Sequence, residues 1–318
     1  MTPGVAANLL ALGLPAGFLL RQCWPPARAV RLRNALLLDV ARDGDFTWTP
    51  QNYPEDFCRE RKPATDDFVA VVDALGVQTL GDWEKALCLA SHLVERAEDK
   101  GPIQDNLAAS YRGIRAGYGY CADFVKVFLA LAHAAGLHAR QWAFSFDGFG
   151  GHGHTFVEVF DHGRGQWLFL DPHNNIHVVD AESGEALSAL EFRESLLGRR
   201  GTVRMQPNGP GRLGYIHEHK ALDYFRRGAA EWYLWWGNAV FSYYAHPLVR
   251  AAGRISRPLA HFVANVAGVQ PHIRIYPAAE SREAAQRMFA LRRRIKACLW
   301  ATPALLLLLW AQCRLGSA

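Results

Sequence analysis

The spacing of apolar positions changes character along the middle of the chain. Trp83, Leu87, Ala90 and Val94 recur at three- and four-residue steps, which predicts an amphipathic helix. Phe124, Val127, Phe128, Leu131, Ala132 and Ala135 repeat that spacing, and Gly136 follows as a C-cap. The period then falls to two. From His154 onward, Phe156 and Glu158 share one face of a predicted strand, with Val157 and Val159 on the other. Gln166 to Asp171 is a second, shorter apolar strand, broken by Pro172 so that the Asp171 carboxylate lies at its tip. Asp161-His-Gly-Arg-Gly165 between them reads as a polar hairpin loop, which brings His154 and Asp171 onto neighbouring strands.

The helix that begins near residue 121 carries candidate chemistry at its start. Cys121 follows a turn containing Gly117 and Gly119 and opens the helical pattern. A helix N-terminus favours negative charge, and the thiolate is the nucleophilic form of cysteine. A cysteine on its own is more often a small buried residue. The two strands downstream change that balance. A thiol at a helix start, an imidazole on a strand and a carboxylate on the next strand supply a nucleophile, a base and an orienting group. Asp123, in the first turn beside the thiol, opposes thiolate formation by its charge.

These segments resemble the transglutaminase-like superfamily, a branch of the papain-like cysteine enzymes. The matching pieces are Gly119-Tyr-Cys121, Ala135-Gly-Leu-His-Ala-Arg140, His154-Thr-Phe-Val-Glu-Val159 and Trp167-Leu-Phe-Leu-Asp171-Pro172. The resemblance runs from roughly Asp66 to Asp180. It implies an α+β fold in which a nucleophile helix packs on an antiparallel sheet. It also implies that Cys121 is the nucleophile, His154 the general base and acid, and Asp171 the orienting carboxylate. Microbial members with this core are implied to be mostly hydrolases or unassigned.

Composition narrows the partners. The 318 residues carry 35 basic and 30 acidic side chains, a net charge of +5 that is scattered along the chain. No basic stripe interleaved with aromatics is present, so no nucleic-acid role is expected. The cysteines at 23, 58, 88, 121, 298 and 313 form neither a disulfide framework nor a zinc pattern. His152 and His154 with Asp171 and His173, or His217 and His219, offer metal-ligand spacing. His154 and Asp171 are already claimed by the thiol constellation, and neither a metal nor another cofactor is expected.

The two ends of the chain are apolar. Ala297 to Cys313 has no charge over 17 residues, and Leu291-Arg-Arg-Arg-Ile-Lys296 precedes it. That is near the minimum length of a membrane span, with a basic cytoplasmic flank. Pro303 and Gln312 weigh toward a buried helix instead. Gly4 to Leu20 is also uncharged, with Arg21, Arg28, Arg31 and Arg33 after it. It reads equally as a membrane segment or a core helix, and Gly13, Pro15 and Gly17 lower its helix tendency. The expected organisation is an N-terminal extension over 1–65, a catalytic core over 66–200, a helical aromatic-rich region over 201–296 and a transmembrane helix over 297–313. The aromatic stretch from Leu222 to Val249 suits a surface helix at a headgroup layer, a packed helical subdomain or a wall of the substrate cleft.

The expected activity is acyl transfer through a Cys121 thioester, on a peptide, protein or other amide-containing substrate. Water as the acceptor makes a protease or amidase, and a lysine amine makes a crosslinking transglutaminase. A catalytically quiet, membrane-bound scaffold is the alternative of another class. The backbone N–H of Cys121 faces the developing oxyanion, and Tyr118, Tyr120 and Gln104 are candidates for a second donor.

Overall fold

The computed structural model describes residues 3–22, 26–95, 98, 100–103, 105–211, 217–255 and 257–315. In chain order the elements are α1 (Pro3–Gln22), α2 (Pro26–Leu37), β1 (Leu38–Asp39), α3 (Asp66–Leu75), α4 (Asp82–Val94), α5 (Leu107–Arg115) and α6 (Cys121–Ala134). Then come β2 (Ala139–Ser145), β3 (Gly153–Asp161), β4 (Gln166–Asp171), β5 (Ile176–Asp180), α7 (Ala189–Leu196), β6 (Val203–Pro207) and α8 (Glu218–Gly228). The last are β7 (Trp232–Trp236), α9 (Val240–Ala245), α10 (Pro247–Ile255), α11 (Arg257–Val266), β8 (His272–Ile275) and α12 (Arg282–Leu315). The chain divides into two compact units. One comprises Met1–Leu38, Ser145–Gly153 and Pro277–Ala318, and the other comprises Asp39–Phe144 and His154–Tyr276.

The larger unit is built on a sheet ordered β1-β8-β7-β2-β3-β4-β5-β6. β3 and β4 form the expected antiparallel hairpin, closed at the pair Asp161 and Gln166. Alternation along β3 divides its side chains between two layers. Val157 and Val159, with Leu168 and Leu170 of β4, face a core of α3, α4, α5 and α6 side chains. Phe156 packs on Phe169 of β4 and Trp232 of β7, and Phe169 packs on Phe192 of α7 and Phe225 of α8. The fold is therefore α+β, with the helix that starts at Cys121 buried against a largely antiparallel sheet.

A buried charge cluster ties β2, β3 and α7 together. Arg140 Nε donates to Glu158 Oε2 at 2.7 Å, and the other carboxylate oxygen accepts the Ala189 N–H at the start of α7 at 2.7 Å. Arg140 also donates to the Phe46 carbonyl at 2.9 Å. A buried charge is tolerable only when paired and hydrogen-bonded, and these contacts meet that condition.

The region expected to be helical, 201–296, holds three strands, β6, β7 and β8. Trp232 to Trp236 forms β7, paired antiparallel with β2 on one side and β8 on the other. Trp232 and Leu234 are fully buried, and Tyr233 and Trp236 are nearly so. A strand covered on both faces reads as a continuous apolar run and shows no alternation. The aromatic stretch from Leu222 to Val249 is therefore not one continuous helix: Trp232–Trp236 is a central strand flanked by α8 and α9.

In the smaller unit α1 and α12 pack on one another, and α2 packs on both. Pro15 lies inside α1 without breaking it. Asn34 of α2 is buried and donates to the Phe149 carbonyl at 2.9 Å, which holds the Ser145–Gly153 loop. Among the described residues one helical span, Arg282–Gln312, is long and apolar enough to cross a membrane, and only 11% of its apolar window is buried.

Candidate active site

Cys121 is the first residue of α6, half-buried, and α6 holds it firmly. Phe124, Val125, Val127, Phe128 and Leu131 are fully buried, and each such side chain contributes about 1.5–3 kcal/mol of burial. The turn before the helix depends on Gly119, whose φ is +116°. A Cβ there would meet the Phe124 ring at 3.0 Å and Ile114 at 3.2 Å, so any other residue would have to push these side chains aside as well as adopt a strained backbone. The Gly119 N–H donates to the Gly101 carbonyl at 2.7 Å, which fixes the approach to the thiol.

Asp123 has a structural task that its position alone did not reveal. Its Oδ2 accepts the Tyr120 N–H at 3.1 Å and the Ile103 N–H at 3.2 Å, and Lys126 lies 3.7 Å from its other oxygen. The carboxylate caps the helix start and carries a partner of opposite charge, so its opposition to a thiolate at Cys121 is partly offset.

His154 and Asp171 come together across the β3–β4 hairpin. His154 Nε2 lies 2.7 Å from Asp171 Oδ2, and both side chains are buried. Asp171 accepts three further hydrogen bonds: from Asn174 Nδ2 at 2.6 Å, from the Asn174 N–H at 3.1 Å and from the His173 N–H at 3.1 Å. Burial by itself raises a carboxyl, but the imidazole charge and these donors hold Asp171 below its ordinary value. For His154, burial acts to lower the pKa. The Asp171 carboxylate outweighs it by charge and hydrogen bond, a hydrogen bond to the Cys121 side chain adds to it, and the result is about 10. With Nε2 engaged by Asp171, Nδ1 is the ring nitrogen left for the thiol. The structure thus joins His154 to Asp171 by a hydrogen bond, and the Cys121 side chain lies close enough to the imidazole to help raise its pKa.

Aromatic side chains wall the imidazole. Phe144, Tyr224 and Phe225 have ring centroids 5.9, 5.9 and 5.6 Å from His154. His173 sits between α6 and the site, 5.1 Å from Phe124 and 6.0 Å from His154. Asn174 was not anticipated from the sequence, though it had a usable signal, because a polar residue three positions after an Asp commonly closes a turn on its side chain. Tyr224 and Phe225 fall in the aromatic stretch from Leu222 to Val249, one reading of which is a wall of the substrate cleft.

The other candidates are dispersed. Tyr118 and Tyr120 flank the turn and are 44% and 49% exposed. Gln104 lies outside the described residues. His152 is exposed in the smaller unit, while His217 and His219 are exposed and stack on each other at 5.5 Å. Among the described residues no three His, Cys, Asp or Glu side chains group as a metal site.

No curated protein matches this sequence. Among solved structures, a candidate cysteine protease from Cytophaga hutchinsonii matches at 16% identity with a TM-score of 0.29. The match covers 42% of this chain and 47% of that one, so the chain spans about half the length of the relative it matches. The sequence profile of the transglutaminase-like superfamily matches residues 70–172, a range that includes Cys121, His154 and Asp171. Over that segment, about a third of its length, the chain is similar to the transglutaminase-like superfamily.

Proposed function

We propose that the protein is a thiol-dependent hydrolase that cleaves a peptide or other amide bond through a thioester on Cys121. The observation that carries this reading is the buried His154–Asp171 contact at 2.7 Å, with the Cys121 side chain beside the same imidazole. In this reading the thiol proton already rests on His154, and Cys121 Sγ attacks the substrate carbonyl carbon as the thiolate of a thiolate–imidazolium pair. The Cys121 N–H, at the free start of α6, faces the oxyanion of the tetrahedral intermediate. His154 returns the proton to the leaving amine, and the C–N bond breaks to leave an acyl thioester. Water then attacks the thioester with His154 as base, which releases the acid and restores the thiol. Asp171 holds the ring and balances its charge throughout.

The same reading puts residues 297–313 across a membrane, with the catalytic domain on the cytoplasmic side. Arg292, Arg293, Arg294 and Lys296 form the basic flank, and the exposure of Leu306, Leu307, Leu308 and Trp310 supports lipid contact.

The test is alkylation with iodoacetamide at neutral pH, followed by site mapping. Burial pushes the Cys58 and Cys88 thiols up, so Cys121 should label first and activity should fall in step with it. Equal labelling of all three, or full activity in Cys121→Ala, would overturn the assignment. Products from a peptide library then separate the acceptors. Free acid marks a hydrolase, and incorporation of an added primary amine marks a transferase.

A further inference from the structure

We propose that α1 and α12 cross the bilayer together as an antiparallel pair, joined near its far face by Asn8 and Gln312. The proposal rests on the reading that α12 spans a membrane and adds a second helix to it. Asn8 Nδ2 donates to Gln312 Oε1 at 3.0 Å. Toward the other end of the pair, Phe18 lines the same groove as Arg294 and Cys298, and Ala11 and Leu14 line it with Ala301 and Leu305. Rising residue numbers in α1 therefore meet falling ones in α12. The groove is about 470 Å³, and Arg294, at its basic end, is the one charged residue lining it.

Length, surface and charge agree with a paired span. The 20 residues of α1 cover about 30 Å at 1.5 Å per residue, the thickness of the hydrocarbon layer. Its single charged residue, Arg21, lies in its last turn. The outward faces are apolar on both helices: Leu10 and Leu20 are 77% and 71% exposed, and Trp300 and Leu307 are 78% and 67% exposed. An apolar surface running over two adjacent helices is costly in water and favourable in lipid. In an antiparallel pair Arg21 and the Arg292–Lys296 cluster fall toward the same end and Arg314 toward the other, an asymmetry that sets the orientation.

The amide pair resolves a difficulty in the sequence. Gln312 counts against a membrane span when α12 is considered alone, because an unpaired amide in hydrocarbon is costly. Against Asn8 it has a partner, and interhelical amide bonds are a recurrent way of joining membrane helices. Pro303 lies inside α12 without ending it, and proline is more frequent in membrane helices than in those of soluble proteins.

The experiment uses the full chain with a short epitope tag at each end, expressed in a bacterial inner membrane. Protease is added outside spheroplasts, and the membranes are washed with alkaline carbonate. The expected result is loss of both tags, protection of the catalytic domain and retention in the pellet. Loss of the C-terminal tag alone leaves α12 as a single span and overturns the pair. Protection of both tags with release by carbonate overturns the membrane reading of α12 as well. In a Cys298→Ser/Cys313→Ser background, Asn8→Cys/Gln312→Cys should form an intramolecular disulfide on mild oxidation. A dimer-sized product, or no crosslink in a protein that spans twice, overturns the pairing.

Discussion

His154 and Asp171 meet at 2.7 Å where neither is open to solvent: His154 is 6% exposed and Asp171 is 0% exposed. Buried alone, the imidazole would be neutral and the carboxyl protonated. Together, and with Asn174 and the His173 N–H on the carboxylate, each keeps the other charged.

That coupling makes stability depend on pH in a defined direction. The His154 pKa rises on folding from 6.5 to about 10. Its contribution is fully present below 6.5 and is lost as pH rises through about 10. Asp171 is depressed from 3.8, so its contribution is present above that value and is lost as pH falls through the folded value. Wild type should therefore exceed Asp171→Asn in stability most clearly near pH 6, with the gap narrowing by pH 10. Urea unfolding of the two proteins at both values measures it. A gap that widens toward pH 10 would mean that His154 is neutral in the native protein.

The roles proposed for the pair differ, so their variants should differ. Asp171→Asn retains a side chain of the same shape that still meets the ring, and it should lower turnover less than His154→Ala, which removes the group that carries the proton. Single-turnover rates on one substrate decide the order. An Asp171 variant slower than the His154 variant would make Asp171 the residue that holds the hairpin together.

Asn174 offers a gentler test of the same geometry. Its side chain donates to Asp171 Oδ2, the oxygen that also faces His154. Asn174→Ala removes that donor and leaves both backbone donors in place. Loss of a hydrogen bond to a charged group costs about 1.5–3 kcal/mol, so kcat should fall by about tenfold or more while KM stays close to wild type. A variant with unchanged kcat and a raised KM would make Asn174 a substrate contact.

The sequence made the chemistry more legible than its surroundings. Cys121, His154 and Asp171 sit where periodicity breaks, at a helix start, a strand start and a strand tip, and such boundaries are marked by Gly and Pro. The α6 stripe and the β3 alternation were readable because each element has distinct faces. β7 was not, because Trp232 to Trp236 has apolar neighbours on both sides and so lacks the alternation that marks a strand. The pairing of Arg140 with Glu158 was hidden for a different reason. Both residues lay in recognised segments, but a buried ion pair across adjacent strands has no local pattern. Asp123 shows the converse: its place beside Cys121 was plain, while its bonds to Tyr120 and Ile103 follow from how the incoming chain wraps the helix start.

Gly119 links fold and chemistry most directly. At φ +116° an L side chain is strained, and its Cβ would press on Phe124 and Ile114, both fully buried. Phe124 belongs to the first turn of α6, so relief of that pressure must move the backbone that presents Cys121. Strain of this kind costs about 1–3 kcal/mol. Gly119→Ala should therefore lower the urea midpoint and also slow iodoacetamide labelling of Cys121, while labelling of Cys88 in α4 stays unchanged under native conditions. Gly136 is the control. It also has a positive φ, +74°, but its Cβ would meet nothing within 4 Å. Gly136→Ala should destabilise by backbone strain alone and leave the Cys121 labelling rate as in wild type. If both variants slow labelling equally, the thiol responds to general loss of stability, and the glycine turn has no special part in positioning it.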